Sequence, residues 1–209
     1  SLARELLDAE TTCKPIKPIT ERHATLTTAD SYAIQLEVVK AKQELGQVVV
    51  GKKIGLTSKA MQRSLGVYEP DYGHVMNSLL IFEGDEIDLK RLIQPKLEPE
   101  IAFVLREDLT GPGANVAKVL KATEGVMAAI EVIDSRIENW RIKIQDTIAD
   151  NASIGRVILG GRLVDIEDID LRLLGMLLRK NGEIVSCSSS AAVLGNPAQA
   201  VAWLANKIW

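Results

Sequence analysis

Residues 96–105 read KLEPEIAFVL, and the strand they imply carries two glutamates on one face. Side chains of an extended chain alternate, so Glu98, Glu100, Ala102 and Val104 share one side while Leu97, Pro99, Ile101, Phe103 and Leu105 share the other. Both sides turn apolar toward the C-terminal end. A solvated strand keeps one side polar along its length, so the pattern predicts two carboxylates at the mouth of a covered site.

The segment AAIEVI, residues 128–133, raises the same question, because Glu131 interrupts a run that is apolar on both faces. A lone ionised carboxylate there is costly to desolvate and needs a partner, either a core Lys or Arg or a cation. If Glu98, Glu100 and Glu131 converge to about 4 Å, each pair repels by about 4 kcal/mol at an effective dielectric near 20, and the sum approaches the whole stability of a domain. A cation or protons must compensate. An all-oxygen donor set favours Mg²⁺ or Mn²⁺ over zinc, and His23 and His74 lack the spacing of a zinc pair. Both histidines are read as polar loop residues.

The 209 residues are 46% hydrophobic and 25% charged, enough for one sizeable core. A net charge of -3 and the absence of a basic run with interleaved aromatics argue against nucleic-acid binding. Cys13 and Cys187 lie too far apart in sequence for a Cys-x-x-Cys site or a disulfide framework, which fits a reducing cytoplasm. The sequence carries no long uninterrupted apolar stretch and no signal-peptide pattern, so no membrane association is expected. Ser1 is not an initiator methionine and AWLANKIW carries no helix-ending glycine, so residues are expected beyond both ends.

Residues 27–46 (TTADSYAIQLEVVKAKQELG) predict a helix with Thr or Asp capping, packed through Tyr32, Ile34, Leu36, Val38 and Val39 and closed by Gly46. Residues 48–61 (VVVGKKIGLTSKAM) predict strand, loop and helix. Lys53 stands between glycines that would let backbone approach a ligand, and a partly desolvated lysine can shuttle protons; a surface role is the simpler reading for Lys52. Residues 66–78 (GVYEPDYGHVMNS) read as a loop in which Asp71 either caps a turn or serves a site. A helix from Asn115 across NVAKVLKATEGV, a hairpin turning at Asn181-Gly182, and a last helix with Asn196 as cap and Pro197 at its first position complete the pattern. Ser153 either bonds a ligand or caps the next segment. The serines of SCSSSAAVLG lack the elbow of a serine hydrolase. Strands and helices without regular βαβ alternation indicate a mixed α+β fold.

Taken together, GKKIGLTSKAMQ, EPDYGH, KLEPEIAFVL, EDLTGPG, AIEVIDSRIENWRIKIQDTIADNAS, RKNGEIVS and NPAQAVAWLANKI resemble, in colinear order, the 2-keto-4-pentenoate hydratases. That group includes 2-hydroxypenta-2,4-dienoate hydratase, 2-oxohept-4-ene-1,7-dioate hydratase and 4-oxalocrotonate decarboxylase, within the fumarylacetoacetate hydrolase superfamily. The resemblance implies a β-roll or barrel with helices over residues 49–209, preceded by an N-terminal helical region over 1–48. It implies a Mg²⁺ or Mn²⁺ enzyme of aromatic meta-cleavage catabolism, a homo-oligomer acting on a small 2-oxo or 2-hydroxydienoate acid. A complex with a pathway decarboxylase or aldolase, in which the chain could itself be a non-catalytic subunit, stays open. Metal carboxylates fall on Glu98, Glu100 and Glu131, and Lys53, Asp71 and Ser153 occupy the positions of an active-site lysine, aspartate and serine. Two departures stand out: SCSSSAAVLG replaces a glycine-containing TGAGAAVLG-like segment, and further C-terminal strands are expected beyond Trp209. Arg136, Arg141 and Lys143 are the cations available for the distal acid of a dicarboxylate.

Overall fold

The computed structural model describes all residues from Ser1 to Trp209, apart from the side chain of Leu65. In chain order the elements are α1 (Leu2–Thr12), α2 (Ile19–Arg22), α3 (Thr28–Glu44), β1 (Val49–Gly55), α4 (Lys59–Leu65), β2 (Asp71–Met76), β3 (Leu80–Phe82), β4 (Lys96–Leu105), α5 (Val116–Ala122), β5 (Thr123–Ile133), α6 (Ile144–Ala149), β6 (Ile154–Leu159), β7 (Gly175–Lys180), β8 (Glu183–Ser189) and α7 (Pro197–Lys207). The fold is mixed α+β. The strands form a β1–β2 pair, a four-stranded sheet in the order β3-β6-β5-β4, and a β7–β8 pair, with no closed barrel among the described residues.

The chain divides into two compact units. The first comprises residues 1–55, 71–98 and 130–158; the second comprises 56–70, 99–129 and 159–209. In the first, Ala3, Leu6, Ile19, Val38, Ile137 and Ala149 form one apolar cluster, and Val39, Val75, Met76, Leu79 and Ile154 form another. In the second, Val119, Val126, Leu171, Ala198 and Ala202 form the core, against which Ile101 and Phe103 of β4 pack. The side of β4 opposite Glu98 and Glu100 is therefore the packed one.

Local signals account for most boundaries. Thr27 accepts from the Asp30 N–H at 3.1 Å while Asp30 accepts from the Thr27 N–H at 2.9 Å, a closed capping box that starts α3. Asn196 accepts from the Ala198 N–H at 3.0 Å and Pro197 follows it, so α7 begins as its sequence predicts. Asn181 (φ 53°) and Gly182 (φ 87°) supply the paired positive dihedrals of a two-residue hairpin turn between β7 and β8. Helix α5 is capped by Asn115, as its sequence predicts, but stops at Ala122, because TEGV joins the long strand β5.

Two readings are corrected. Residues 71–76 are not loop but the buried strand β2, antiparallel to β1 with Lys53 opposite Gly73 and Gly55 opposite Asp71. Ladder pairing with β1 outweighs the turn-forming residues that flank it. The buried stripe of α3 is Ser31, Gln35, Val38, Val39 and Lys42, whereas Leu36 is exposed. The polar members are satisfied: Ser31 donates to the Thr27 carbonyl, Lys42 pairs with Glu10, and the Gln35 amide donates to the carbonyls of Tyr72 and Ile148 at 3.0 and 2.8 Å.

Candidate metal centre

β4 and β5 are neighbours in the four-stranded sheet, and their glutamates meet. One carboxylate oxygen each from Glu98, Glu100 and Glu131 lies within 4.8 Å of the others. Glu131 is buried, while Glu98 and Glu100 keep solvent access. Lys53, on β1, brings its ammonium to 3.1 Å from Glu131 Oε1 and donates to the Ala152 carbonyl at 3.0 Å. The approach to Glu131 is a close ion pair without hydrogen-bond alignment, and Glu131 Oε1 counts among the buried atoms lacking a hydrogen-bond partner.

Asp71 opens β2 and is almost wholly buried; neither of its carboxylate oxygens has a hydrogen-bond partner among the described residues. Its seat is made by Gly55 opposite: a Cβ there would stand 2.2 Å from Asp71 Oδ1 and 3.4 Å from Lys53 Nζ. The glycine that suggested room for a ligand in GKKIG thus makes room for a carboxylate of the chain itself.

Burial raises the pKa of Asp71, opposed by Lys53 and reinforced by Glu98. Burial likewise raises that of Glu131, with Lys53 opposing and Glu98 and Asp71 adding to the rise. Burial works to lower the pKa of Lys53, yet Glu131, Asp71 and Glu98 outweigh it and keep the ammonium protonated. Two buried carboxylates, Asp71 and Glu131, thus share the Lys53 ammonium beside the more exposed Glu98 and Glu100. Converging hard oxygen donors and orphaned buried carboxylate oxygens fit a divalent ion of the Mg²⁺ or Mn²⁺ type.

Ser153 is buried in a turn between α6 and β6, with its hydroxyl 3.4 Å from Asp150 Oδ2. The turn is unusual: Asn151, Ala152 and Ser153 have φ of 52°, 51° and 54°. Left-handed backbone costs a non-glycine residue about 1–2 kcal/mol, so three in succession need compensation from their surroundings. Part of it comes from Asp150, which accepts from the Arg136 N–H at 3.0 Å and from the Arg136 guanidinium in a buried ion pair. Burial moves the Asp150 pKa up to about 6 despite Arg136. Arg136 also donates to the carbonyls of Asp134 and Ile154, both at 2.7 Å, and to that of Asp150, so four of its five guanidinium N–H groups are engaged within the protein. Arg141 pairs with Glu21 at 2.9 Å on the surface, and the Lys143 N–H donates to Asp146 at the start of α6.

His74 departs from its loop reading. It lies buried on β2 with Nδ1 3.0 Å from Gln35 Oε1, and burial, aided by Lys52, moves its pKa down to about 4. Since Gln35 Oε1 can only accept, the neutral ring carries its proton on Nδ1. His23 is exposed, as a loop residue would be. The residues sequence reasoning missed are Gly55, Gln35 and Asn151, which shape the site without offering charge; only the glycines around Lys53 gave a signal.

Comparison with known proteins gives the family. Residues 36–208 match the family model described as fumarylacetoacetate (FAA) hydrolase C-terminal. A 2-hydroxypent-2,4-dienoate hydratase of Pseudomonas putida is 45% identical over 208 residues, covering 99% of this chain and 94% of that protein. A 4-oxalocrotonate decarboxylase of Pseudomonas putida is 43% identical over 206 residues, covering 99% of this chain and 78% of the other. Among solved structures, 4-oxalocrotonate decarboxylase from Pseudomonas putida G7, complexed with magnesium and adipate, superposes with a TM-score of 0.96 at 41% identity, over 99% of this chain and 78% of that one.

Proposed function

The chain belongs to the fumarylacetoacetate hydrolase family, and from that premise we propose that it is a metal-dependent hydro-lyase adding water to 2-hydroxypenta-2,4-dienoate to give 4-hydroxy-2-oxopentanoate. The observation that carries the reading is the convergence of Glu98, Glu100 and Glu131 beside the buried Lys53 ammonium, in a chain nearly half identical to a dienoate hydratase. Glu98, Glu100 and Glu131 would hold a Mg²⁺ or Mn²⁺ ion, which would offset most of their charge and supply a Lewis acid for a 2-oxo acid.

The remaining chemistry falls to the chain's own side chains. Lys53 Nζ moves the proton released from the 2-hydroxyl to C5, which leaves the conjugated 2-oxopent-3-enoate, and its charge supports the 2-oxygen. Asp71 takes a proton at Oδ from the water that attacks C4 and returns it to C3, completing the addition. Its buried, unpartnered oxygens suit a base whose pKa burial has raised. Ser153 binds the substrate only by turning its hydroxyl from Asp150, and the 3.4 Å bond between them is long enough to yield readily.

The same donors would serve 4-oxalocrotonate decarboxylation or hydration of 2-oxohept-4-ene-1,7-dioate. What favours the shorter acid is that Arg136, one of the cations available for a distal carboxylate, is engaged by Asp150. We further infer a cytoplasmic homo-oligomer, in line with the family resemblance, which light scattering on the purified protein tests. The decisive assay follows the ultraviolet absorbance of each of the three acids with Mg²⁺, with Mn²⁺ and with a chelator. Metal-dependent hydration of the five-carbon acid supports the reading; release of carbon dioxide from 4-oxalocrotonate assigns the decarboxylase instead. Failure with all three, in a chain with its C-terminus intact, favours a non-catalytic partner subunit.

A further inference from the structure

The left-handed run Asn151-Ala152-Ser153 has no glycine to ease it, so contacts around it must fix its shape. Asn151 makes the most specific of them. Its Nδ2 donates to the His74 carbonyl at 2.9 Å, and its Oδ1 accepts from the His74 N–H at 2.8 Å, so one side-chain amide pairs with both polar groups of one residue of β2. The Asn151 carbonyl also presses onto Gly73, where a Cβ would stand only 2.6 Å from that oxygen. Gly73 is the residue opposite Lys53 in the β1–β2 ladder. The turn is thereby docked onto the part of β2 that flanks the lysine. The outcome is the Ala152 carbonyl 3.0 Å from Lys53 Nζ. At the far end, the Asp134 N–H donates to the Ser153 carbonyl at 2.8 Å and the Ser153 N–H to the Asp150 carbonyl at 2.9 Å.

We propose that Asn151 is a positioning residue for Lys53: its amide clamps the left-handed turn to β2 so that the Ala152 carbonyl takes one ammonium N–H beside the Glu131 ion pair, and a remaining N–H is aimed at the substrate. An ammonium has three N–H groups and rotates freely unless acceptors fix it. A peptide carbonyl fixes it without adding another full charge to a site already rich in carboxylates. With Ala152 in the right-handed region the same carbonyl would face elsewhere, which gives the strain a purpose. The aim at the substrate rests on the role proposed above for Lys53; the clamp and the sequestered ammonium do not.

Two variants test this. Asn151→Asp keeps the size and loses the donor to His74; Asn151→Gly loses the whole amide but is at ease in left-handed backbone, so its fold is not at risk from strain. Thr20→Val is the control: it removes a hydroxyl donor to Asp146 in α6 within the same unit, a structural loss that takes away no contact of Asn151 or of Lys53. Reductive methylation of the folded proteins, read by peptide mass spectrometry, should label Lys53 roughly tenfold faster in both Asn151 variants, with Thr20→Val within about twofold of wild type once corrected for folded fraction. The kcat on the dienoate should fall by roughly tenfold or more, while KM and calorimetric Mg²⁺ affinity stay within about twofold. Unchanged Lys53 labelling in the Asn151 variants, or an equal rise in Thr20→Val, overturns the proposal. A retained kcat overturns its catalytic part. If labelling rises as expected but the wild type turns over none of the three acids, the clamp stands and the hydratase reading falls.

Discussion

At the scale of single residues, the site depends as much on a missing side chain as on the charged ones. Asp71 occupies the space over Gly55, so Gly55→Ala must displace the carboxylate or the strand that carries it. We expect a loss of about 1–3 kcal/mol in urea denaturation, typical of overpacking, and turnover reduced by roughly tenfold or more because Asp71 no longer meets its water. Wild-type turnover in this variant would remove Asp71 from the mechanism. His74 gives a pH signature instead. Its folded pKa of about 4 lies below the ordinary 6.5, so between these values the unfolded chain binds the proton more readily. Stability is therefore complete above 6.5 and declines as pH falls toward 4, by up to about 3 kcal/mol. Urea midpoints at pH 5 and pH 7 should differ less in His74→Gln than in wild type. The carboxylates were readable in advance because alternation puts Glu98 and Glu100 on one side and because Glu131 breaks an apolar run. Asn151 gave no such sign: an uncharged residue that acts through backbone pairing looks like any other polar one.

At the scale of elements, legibility followed the range of the forces involved. Caps, the Asn181-Gly182 turn and the proline-led α7 are fixed by neighbours in sequence, and each could be read from a few residues. Strand β2 could not, since Pro70, Asp71 and Gly73 look like a loop until β1 supplies a ladder for them. Nor could the buried face of α3, whose Gln35 and Lys42 look solvent-facing until their partners on other elements are known. The turn after α6 belongs to the same class, being held by the Arg136–Asp150 pair from outside it. Arg136→Met should leave Asp150 buried without its counter-ion and cost about 3–5 kcal/mol. Replacing both partners by apolar residues of similar volume should cost less, and equal losses in single and double variants would show that the pair is not what stabilises the turn.

At the scale of the whole molecule, a net charge of only -3 hides a dense local concentration of negative charge, and the ion that relieves it should stabilise the folded chain. Mg²⁺ at about a hundred times its dissociation constant should add about 2.7 kcal/mol, visible as a rise in thermal midpoint that a chelator reverses. Glu131→Gln should abolish most of that rise; an undiminished response would place the ion elsewhere. The topology adds one more consequence. All three carboxylates come from two adjacent strands, and sliding β4 along β5 by a single residue would turn Glu98 and Glu100 to the opposite side of the sheet. Ion capture is thus a gauge of strand alignment: a chain that folds with its ladder out of step forfeits the cation, and uptake of Mn²⁺ during refolding would time the moment at which the alignment locks.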